Sequence, residues 1–146
     1  MYKRQTLLAL DPSLTNTGWA VYTGGVLVAS GCLGKVTVKS FYAKLTALLA
    51  QYSPDFVITE DVFCGPNKQT YKKLCWLQGV ILSQCSPIIK TPHLWRAEWT
   101  AITGVVLPKG KGSGPLIKKL LQEHYSTKTN DEAEACAIGL TGITHE

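Results

Sequence analysis

Apolar runs separated by turn residues open the chain, and this pattern predicts β-strands. The runs cover residues 6–10, 18–23 and 26–33. Gly24 and Gly25 lie between the second and third runs, an arrangement that is typical of a β-hairpin. We therefore expect three antiparallel strands at the beginning of the fold.

The spacing of the apolar residues changes to a helical period after Ser40. Phe41 and Leu45 begin that pattern, so Ser40 is expected to cap a helix that ends before Ser53. The same reasoning predicts strands over residues 56–59 and 88–90, and helices over about 69–85, 93–102, 116–124 and 131–140. A strand followed by a crossover helix indicates parallel pairing, so the later strands should run parallel to the first.

The predicted helix over residues 69–85 has almost no polar face. Leu74, Trp76 and Leu77 are followed by Val80 and Leu82, and these positions surround the helix axis. A helix that is apolar nearly all round is either fully buried or shared with a partner. The sequence leaves both alternatives open.

The order of the elements predicts an α/β fold. Three antiparallel strands followed by two parallel strands, with helices between and after them, give a five-stranded mixed sheet. Ribonuclease H-like folds share this order. The 146 residues are enough for one ordinary domain, and we expect a single domain over residues 1–146.

Composition narrows the class of protein. Hydrophobic residues make up 45% and charged residues 17% of the chain, which argues against disorder. Lysine and arginine number 15 against 10 acidic residues, for a formal net charge of +5. This balance favours a polyanionic partner, most often nucleic acid.

Membrane insertion and export are not expected. The uncharged stretch 12–34 contains several Gly, Ser and Thr residues, so it does not resemble an apolar helix of about 20 residues that spans a bilayer. Asp11 and Pro12 interrupt the apolar run behind the basic segment 1–5, so no signal-peptide core is present. The five cysteines include no C-x-x-C pair, and buried free thiols in a reducing cytoplasm are expected.

The acidic residues that matter most stand at the ends of elements. Asp11 closes the first strand, Glu60 closes the fourth, and Asp131 and Glu134 open the last helix. Sites in α/β sheets gather at the carboxyl ends of strands, so four carboxylates could converge there. All-oxygen ligands suit Mg²⁺ or Mn²⁺, and two such ions about 4 Å apart can drive phosphodiester hydrolysis. The pattern indicates a metal-dependent nuclease.

Each acidic position also has a purely structural interpretation. Asp11 with Pro12 could form a plain turn, and Glu60 could belong to a solvated loop. Asp131 and Glu134 fit a capping box with Asp131 as the N-cap. All four acidic residues stand at ends of elements that are expected to meet at one edge of the sheet, and this favours the metal site over the separate structural interpretations.

Three segments carry a resemblance to a known family. The segment LALDPSLTNTGWAV from residue 8 resembles the opening motif of RuvC-type Holliday junction resolvases. The segment ITEDVF from residue 58, with Asn67 beyond it, is similar to their second motif, and DEAEACAI from residue 131 resembles the third. The motifs occur in the family order between about residues 7 and 140.

The resemblance implies a ribonuclease H-like fold, a homodimer and Mg²⁺-dependent, symmetric nicking of four-way DNA junctions. It makes Asp11, Glu60, Asp131 and Glu134 the ligands of two Mg²⁺ ions, with Mn²⁺ able to substitute. Phe63 matches an aromatic residue that stacks on an unpaired junction base, although a core aromatic remains equally open. The apolar helix over residues 69–85 falls where the family has its dimer contact.

Some positions depart from the family pattern. Ser13 stands where many members have glycine, and Glu134 replaces a common aspartate, which keeps the charge on a longer side chain. The region 91–114 matches poorly apart from Pro92 and the pair Trp95 and Arg96. This compactness is similar to that of phage and viral members, and it leaves the preferred cleavage sequence open.

Basic residues lie near the motifs and are candidates for contacts with DNA phosphates. The candidate DNA-binding residues are Phe63, Asn67, Lys68, Lys72, Lys73, Arg96, Lys109, Lys111 and Lys118. Each lysine alone could equally be a solvated surface charge, and Arg96 could be an exposed charge. Either Lys111 or Lys118 could support the reaction. Trp95 and Trp99 are expected to form a packed helix face rather than a base-stacking platform.

Three other functions compete with junction resolution. The chain could be a broader nuclease for branched DNA, acting on flaps and forks. It could be a junction-binding module without catalysis, although four retained carboxylates argue against that. The hairpin from Asp11 to Gly18 also looks like the phosphate-binding hairpin of sugar kinases and actin, but those proteins need two such domains and this chain supplies one.

Overall fold

The computed structural model describes residues 4–143, which form five strands and five helices. The strands are β1 (Thr6–Asp11), β2 (Gly18–Thr23), β3 (Val26–Cys32), β4 (Phe56–Glu60) and β5 (Ile88–Lys90). The helices are α1 (Val38–Tyr52), α2 (Lys68–Gln84), α3 (Pro92–Thr103), α4 (Gly114–Tyr125) and α5 (Asn130–Gly142). The ends of the predicted 1–146 domain, including most of the basic segment 1–5, lie outside the described residues.

The five strands form one sheet in the order β3-β2-β1-β4-β5. β1 and β2 pair antiparallel, as do β2 and β3, whereas β4 runs parallel to both β1 and β5. The predicted mixed sheet of three antiparallel and two parallel strands is confirmed. Because β1 and β4 are parallel neighbours, their carboxyl ends meet at the same edge of the sheet.

Helices cover both faces of the sheet, and β1 contributes to both cores because its side chains alternate. Leu7 and Ala9 face the layer of α3, α4 and α5, where Trp95 and Trp99 are fully buried. Leu8 and Leu10 face the layer of α1 and α2. That second core also contains Phe41, Leu45, Leu77 and Ile81. The central strands β1 and β4 therefore lie between two apolar layers, and they end at Asp11 and Glu60.

Glycines allow α5 to lie close to the sheet. A Cβ atom on Gly139 would lie 2.5 Å from the ring of Tyr22, and one on Gly142 would overlap the side chain of Ile58. At the other end of the helix, a Cβ on Gly18 of β2 would overlap the backbone carbonyl of Asp131. The first turn of α5 therefore rests directly on the start of β2.

Two N-caps considered from the sequence are wrong. Thr37, not Ser40, is the N-cap of α1, and Ser40 completes a capping box because each residue's side chain accepts the other's backbone N–H. Thr129 caps α5 by accepting from the backbone N–H of Glu132. Asp131 therefore lies inside the first turn, and the capping-box interpretation of Asp131 and Glu134 is also wrong.

The helix α2 is only partly buried. Leu77 and Ile81 are fully buried, but Trp76 and Leu82 are 47% and 54% exposed. Of the two alternatives for this apolar helix, full burial within one chain is therefore wrong.

The cysteines are free, but burial holds only for Cys136; Cys64 is exposed and the other three are partly buried. The expectation of buried thiols was therefore too broad. Across the part of the chain that the structure describes, no helix has the length and apolar character needed to cross a membrane.

Candidate metal centre

Three carboxylates meet at the carboxyl-terminal edge of the sheet. Asp11 ends β1, Glu60 ends β4, and Glu134 projects from α5, and one oxygen from each lies within 4.8 Å of the others. Asp11 and Glu134 are buried, whereas Glu60 is partly exposed. Strand pairing brings the first two together, and the close packing of α5 brings the third.

Asp131 lies beside this cluster rather than within it. It is half-buried and close enough for its charge to raise the pKa of Asp11. It is one helical turn before Glu134, as the spacing predicts. The structure thus brings three of the four predicted carboxylates together and holds the fourth next to Asp11.

The electrostatics of the cluster are unfavourable without a cation. Burial, followed by the charges of Glu134 and Glu60, raises the pKa of Asp11 well above its usual 3.8. Burial and the charge of Glu134 raise the pKa of Glu60 from 4.5 to about 7, despite a bond from Trp95 and nearby cations that favour the charged form. Burial likewise raises the pKa of Asp131. A positive ion between these groups would offset the repulsion.

The donor atoms fit a hard divalent cation. Among the described residues, Asp11 Oδ2 and Glu134 Oε1 are buried and have no hydrogen-bond partner. Buried acceptors without partners are costly, and a metal ion would satisfy both. A set made only of carboxylate oxygens suits Mg²⁺ or Mn²⁺ rather than zinc. The cluster is therefore compatible with divalent metal binding.

The metal-free protein is expected to lose stability as the pH rises from about 4.5 to about 7. Folded Glu60 holds its proton up to about pH 7, whereas the unfolded side chain releases it near 4.5. The folded state therefore binds more protons in this window, which costs up to about 1.4 kcal/mol per pH unit for one group, and stability levels off above it. Thermal unfolding in EDTA across this range measures the effect.

A Glu60→Gln variant provides the control for this pH dependence. The decline should be shallower in this variant, because the amide does not titrate whereas Asp11 and Asp131, whose pKa values are also raised, still do. Addition of Mg²⁺ at pH 8 should stabilise the parent protein but not the variant. A parent protein whose stability in EDTA rises between these pH values would contradict the expectation.

Two neighbouring residues of α3 also contact the site. The indole Nε1 of Trp95 donates a hydrogen bond of 2.6 Å to Glu60 Oε2. The Arg96 guanidinium lies 5.5 Å from the Trp95 ring centre, and its charge lowers the pKa of Glu60. The packed helix face predicted for Trp95 and Trp99 is confirmed, but the bond to Glu60 was missed. The order of the elements gives one indication of this contact. Because β5 ends beside Glu60, the first turn of the following helix must lie near that carboxylate.

The candidate DNA-binding residues lie at different distances from the cluster. Lys118 is close enough for its charge to lower the pKa of Glu60 and of Asp131. Lys109 and Lys111 are exposed in the loop between α3 and α4. Of the two lysines considered for support of the reaction, the structure thus connects Lys118 to the carboxylates.

The segment between β4 and α2 presents an aromatic side chain to solvent. Phe63 is 72% exposed, so its interpretation as a core aromatic is wrong. Asn67 caps α2, where its Oδ1 accepts from the backbone N–H groups of Gln69 and Thr70. The exposed lysines of the first turns of α2 are Lys68, Lys72 and Lys73.

A ribonuclease H-like sheet with clustered carboxylates at its edge indicates a metal-dependent nuclease. The family model described as crossover junction endodeoxyribonuclease RuvC matches residues 7–145 of this chain. The chain belongs to the RuvC family of crossover junction endodeoxyribonucleases.

Individual relatives agree with the family assignment. The crossover junction endodeoxyribonuclease RuvC of Erythrobacter litoralis is 31% identical over 92% of this chain and 90% of its own length. Thermus thermophilus RuvC, solved in complex with a Holliday junction substrate, matches with a TM-score of 0.70 at 15% identity over 97% of this chain and 94% of that chain. The yeast mitochondrial Holliday junction resolvase Ydc2 matches with a TM-score of 0.62 at 10% identity, over 97% of this chain and 78% of that chain. The two structures show the shared fold.

Proposed function

We propose that this protein is a Mg²⁺-dependent endonuclease that resolves four-way DNA junctions by paired, symmetric nicks. The main support is the cluster of Asp11, Glu60 and Glu134, whose buried oxygens lack partners, in a chain of the RuvC family. A structural relative solved with a Holliday junction substrate supports the choice of DNA.

The carboxylates would hold the metal ions. Asp11, Glu60 and Glu134 supply the closest oxygens, and Asp131 lies next to Asp11. Two Mg²⁺ ions, when bound, would supply an activated water and stabilisation of the leaving oxygen at the scissile phosphate. The protein's part is to bring these oxygens together at the carboxyl-terminal edge of the sheet, where β1, β4 and α5 pack against one another.

Two cations beside the cluster are suited to the substrate phosphate. Lys118 projects from α4 near Glu60 and Asp131 and is exposed. It would stabilise the negative charge that builds up on the phosphate during the reaction. Arg96 is partly exposed and its charge lowers the pKa of Glu60, so its guanidinium would donate to a phosphate oxygen bound beside the cluster.

The surrounding surface is suited to DNA. Setting aside the four carboxylates of the proposed centre leaves 15 basic residues against six acidic ones. Lys68, Lys72 and Lys73 lie beside the Phe63 segment, and Lys109 and Lys111 lie on the loop before α4. These lysines would bind the phosphates of the duplex arms and fix their orientation without reading sequence.

Nicking of a synthetic four-way junction tests the function directly. Linear duplex, flap and fork substrates of the same sequence provide the controls, each with Mg²⁺ and with EDTA. Symmetric, Mg²⁺-dependent nicks in the junction alone are expected. Equal cleavage of flaps and forks would favour a broader nuclease for branched DNA, and tight junction binding without any cleavage would overturn the enzyme assignment.

Phe63→Ala is expected to weaken junction binding by about 5- to 150-fold, because a base–aromatic stack contributes about 1–3 kcal/mol. Phe63 is the exposed aromatic of the segment after β4 and can reach an unpaired base. Electrophoretic mobility shifts with a fluorescent junction measure the affinity. Phe63→Trp keeps a larger ring and should bind at least as well as the parent, so equal losses in both variants would contradict the stacking role.

Leu82→Glu is expected to weaken self-association by at least about tenfold. Trp76 and Leu82 form an exposed apolar surface on α2, through which we expect two copies to pair, and a charge buried there would lack a partner. Sedimentation equilibrium measures the association. Val26→Glu is the matched control, since Val26 is 62% exposed on the edge strand β3. A Leu82→Glu variant that dimerises like the parent would contradict this interface.

A further inference from the structure

The geometry points to Trp95 as a positioning residue that holds Glu60 in the orientation needed for metal binding. This role rests on the proposed metal centre, because Glu60 is one of its ligands. Trp95 itself lies behind the carboxylate and would touch neither metal nor DNA. Its indole acts only through the side chain of Glu60.

The contact between the two side chains is short and directional. Trp95 Nε1 lies 2.6 Å from Glu60 Oε2, and the indole N–H can only donate. A donor that meets a carboxylate at this distance forms a charge-assisted bond, which is stronger than a neutral one. Since Oε2 accepts this bond, the orientation of the carboxylate is fixed and Oε1 remains for other ligands.

The position of Trp95 is itself rigid. Its side chain is fully buried, and Thr91 begins α3 one turn earlier by accepting from the backbone N–H of Leu94. Lys90 of β5 pairs in register with Glu60, so the start of α3 is joined to the strand that carries the carboxylate. The ammonium of buried Lys90 donates to Glu98 of α3 at 2.8 Å. The helix that carries the indole therefore does not move independently of Glu60.

A fixed orientation matters for Glu60 because the negative charges of the neighbouring carboxylates repel its own carboxylate. The glutamate side chain has several rotatable bonds, and that of Glu60 is close to the charges of Glu134 and Asp11 and lies partly open to solvent. Without the indole N–H, the side chain would be free to rotate away from its acidic neighbours. Residues that orient a metal ligand in this way typically account for about 10- to 100-fold in metal affinity or activity.

Trp99 provides a matched control within the same helix. It lies one turn after Trp95 and is also fully buried. Its Nε1 donates at 2.8 Å to the hydroxyl of Tyr125, which is not one of the proposed ligands. Trp→Phe at either position therefore removes one buried indole N–H bond and a similar volume, but only one of the two bonds reaches the carboxylate cluster.

Calorimetric titration of Mn²⁺ into the protein of 146 residues separates the roles of Trp95 and Trp99. Trp95→Phe is expected to raise the Kd for Mn²⁺ by about 10- to 100-fold, and Trp99→Phe to change it by less than about threefold. Thermal unfolding in EDTA shows whether both variants are folded and similarly stable. Equal Mn²⁺ affinity in parent and Trp95→Phe, or equal losses in both variants, would overturn the positioning role. A parent that binds no Mn²⁺ would instead overturn the metal centre and, with it, this role.

Nuclear magnetic resonance of the unmodified side chain gives a second readout if Trp95→Phe does not fold. The indole N–H signal of Trp95 is identified by elimination with Phe variants of Trp19, Trp76 and Trp99. On titration with Mg²⁺ this signal is expected to shift, because the carboxylate that accepts the proton becomes bound, while the signal of Trp99 should stay. An unchanged Trp95 signal at Mg²⁺ saturation would overturn the positioning role.

Discussion

Asp11→Asn is expected to reduce nicking of a four-way junction by at least about 1000-fold, which corresponds to about 4 kcal/mol of transition-state stabilisation. Asp11 is one of the two buried carboxylates of the cluster, and its Oδ2 has no hydrogen-bond partner in the described structure. The amide keeps the size of the side chain but removes the negative charge that would attract a metal ion. Single-turnover cleavage with excess enzyme measures the loss.

Junction binding by Asp11→Asn is expected to stay within about threefold of the parent, because phosphate contacts supply most of the affinity for DNA. Asp55→Asn serves as the matched control. Asp55 is the residue before β4, at the end of that strand opposite Glu60, where it accepts from the backbone N–H of Thr6. Parent-like nicking by Asp11→Asn, or an equal loss in Asp55→Asn, would exclude Asp11 as a metal ligand.

Gly18→Ala is expected to lower the free energy of unfolding by about 3 kcal/mol, at the upper end of the usual cost of overpacking. The added Cβ would overlap the backbone carbonyl of Asp131 and approach the next peptide unit. That contact involves backbone on both sides, so no side-chain rotation relieves it. Urea denaturation monitored by fluorescence measures the change.

The same substitution should also impair the site, since relief of the overlap would push the first turn of α5 away from β2. Nicking is therefore expected to fall in the variant even at temperatures where it stays folded. Gly114→Ala is the control, because nothing lies within 4 Å of a Cβ at that position and its backbone is not left-handed. A Gly18→Ala variant as stable as Gly114→Ala would contradict the packing of α5 on β2.

Several features of the fold could be predicted because they depend on short-range pattern. A continuous apolar run gives β1 two buried faces, because successive side chains point to opposite sides of the sheet. The Gly24-Gly25 turn specifies the hairpin of β2 and β3. Strand ends then place Asp11 and Glu60 at one edge. The helix starts were harder, since Thr37 and Ser40 are both good caps, and which hydroxyl accepts the helix N–H depends on the path of the preceding loop.

Contacts between distant segments explain what the sequence did not reveal at the site. The helical spacing of Trp95 and Trp99 predicts burial for both, but the partner of each indole N–H comes from another element. Glu60 is 35 residues away from Trp95 and Tyr125 is 26 residues away from Trp99. Similarly, nothing local distinguishes Lys118 from Lys111, since the distance to Glu60 depends on how α4 packs.

The parallel pairing of β1 with β4 also affects the order in which the carboxylate cluster is assembled during synthesis and folding. Leu8 pairs with Val57, so Asp11 and Glu60 become neighbours only after the long intervening hairpin and α1 have been closed into a loop. Glu134 arrives later still in synthesis, on the last helix. Closure of such loops slows folding relative to local contacts. A partly synthesised chain therefore has no assembled cluster, and the capacity to cut DNA appears only as the final helix docks.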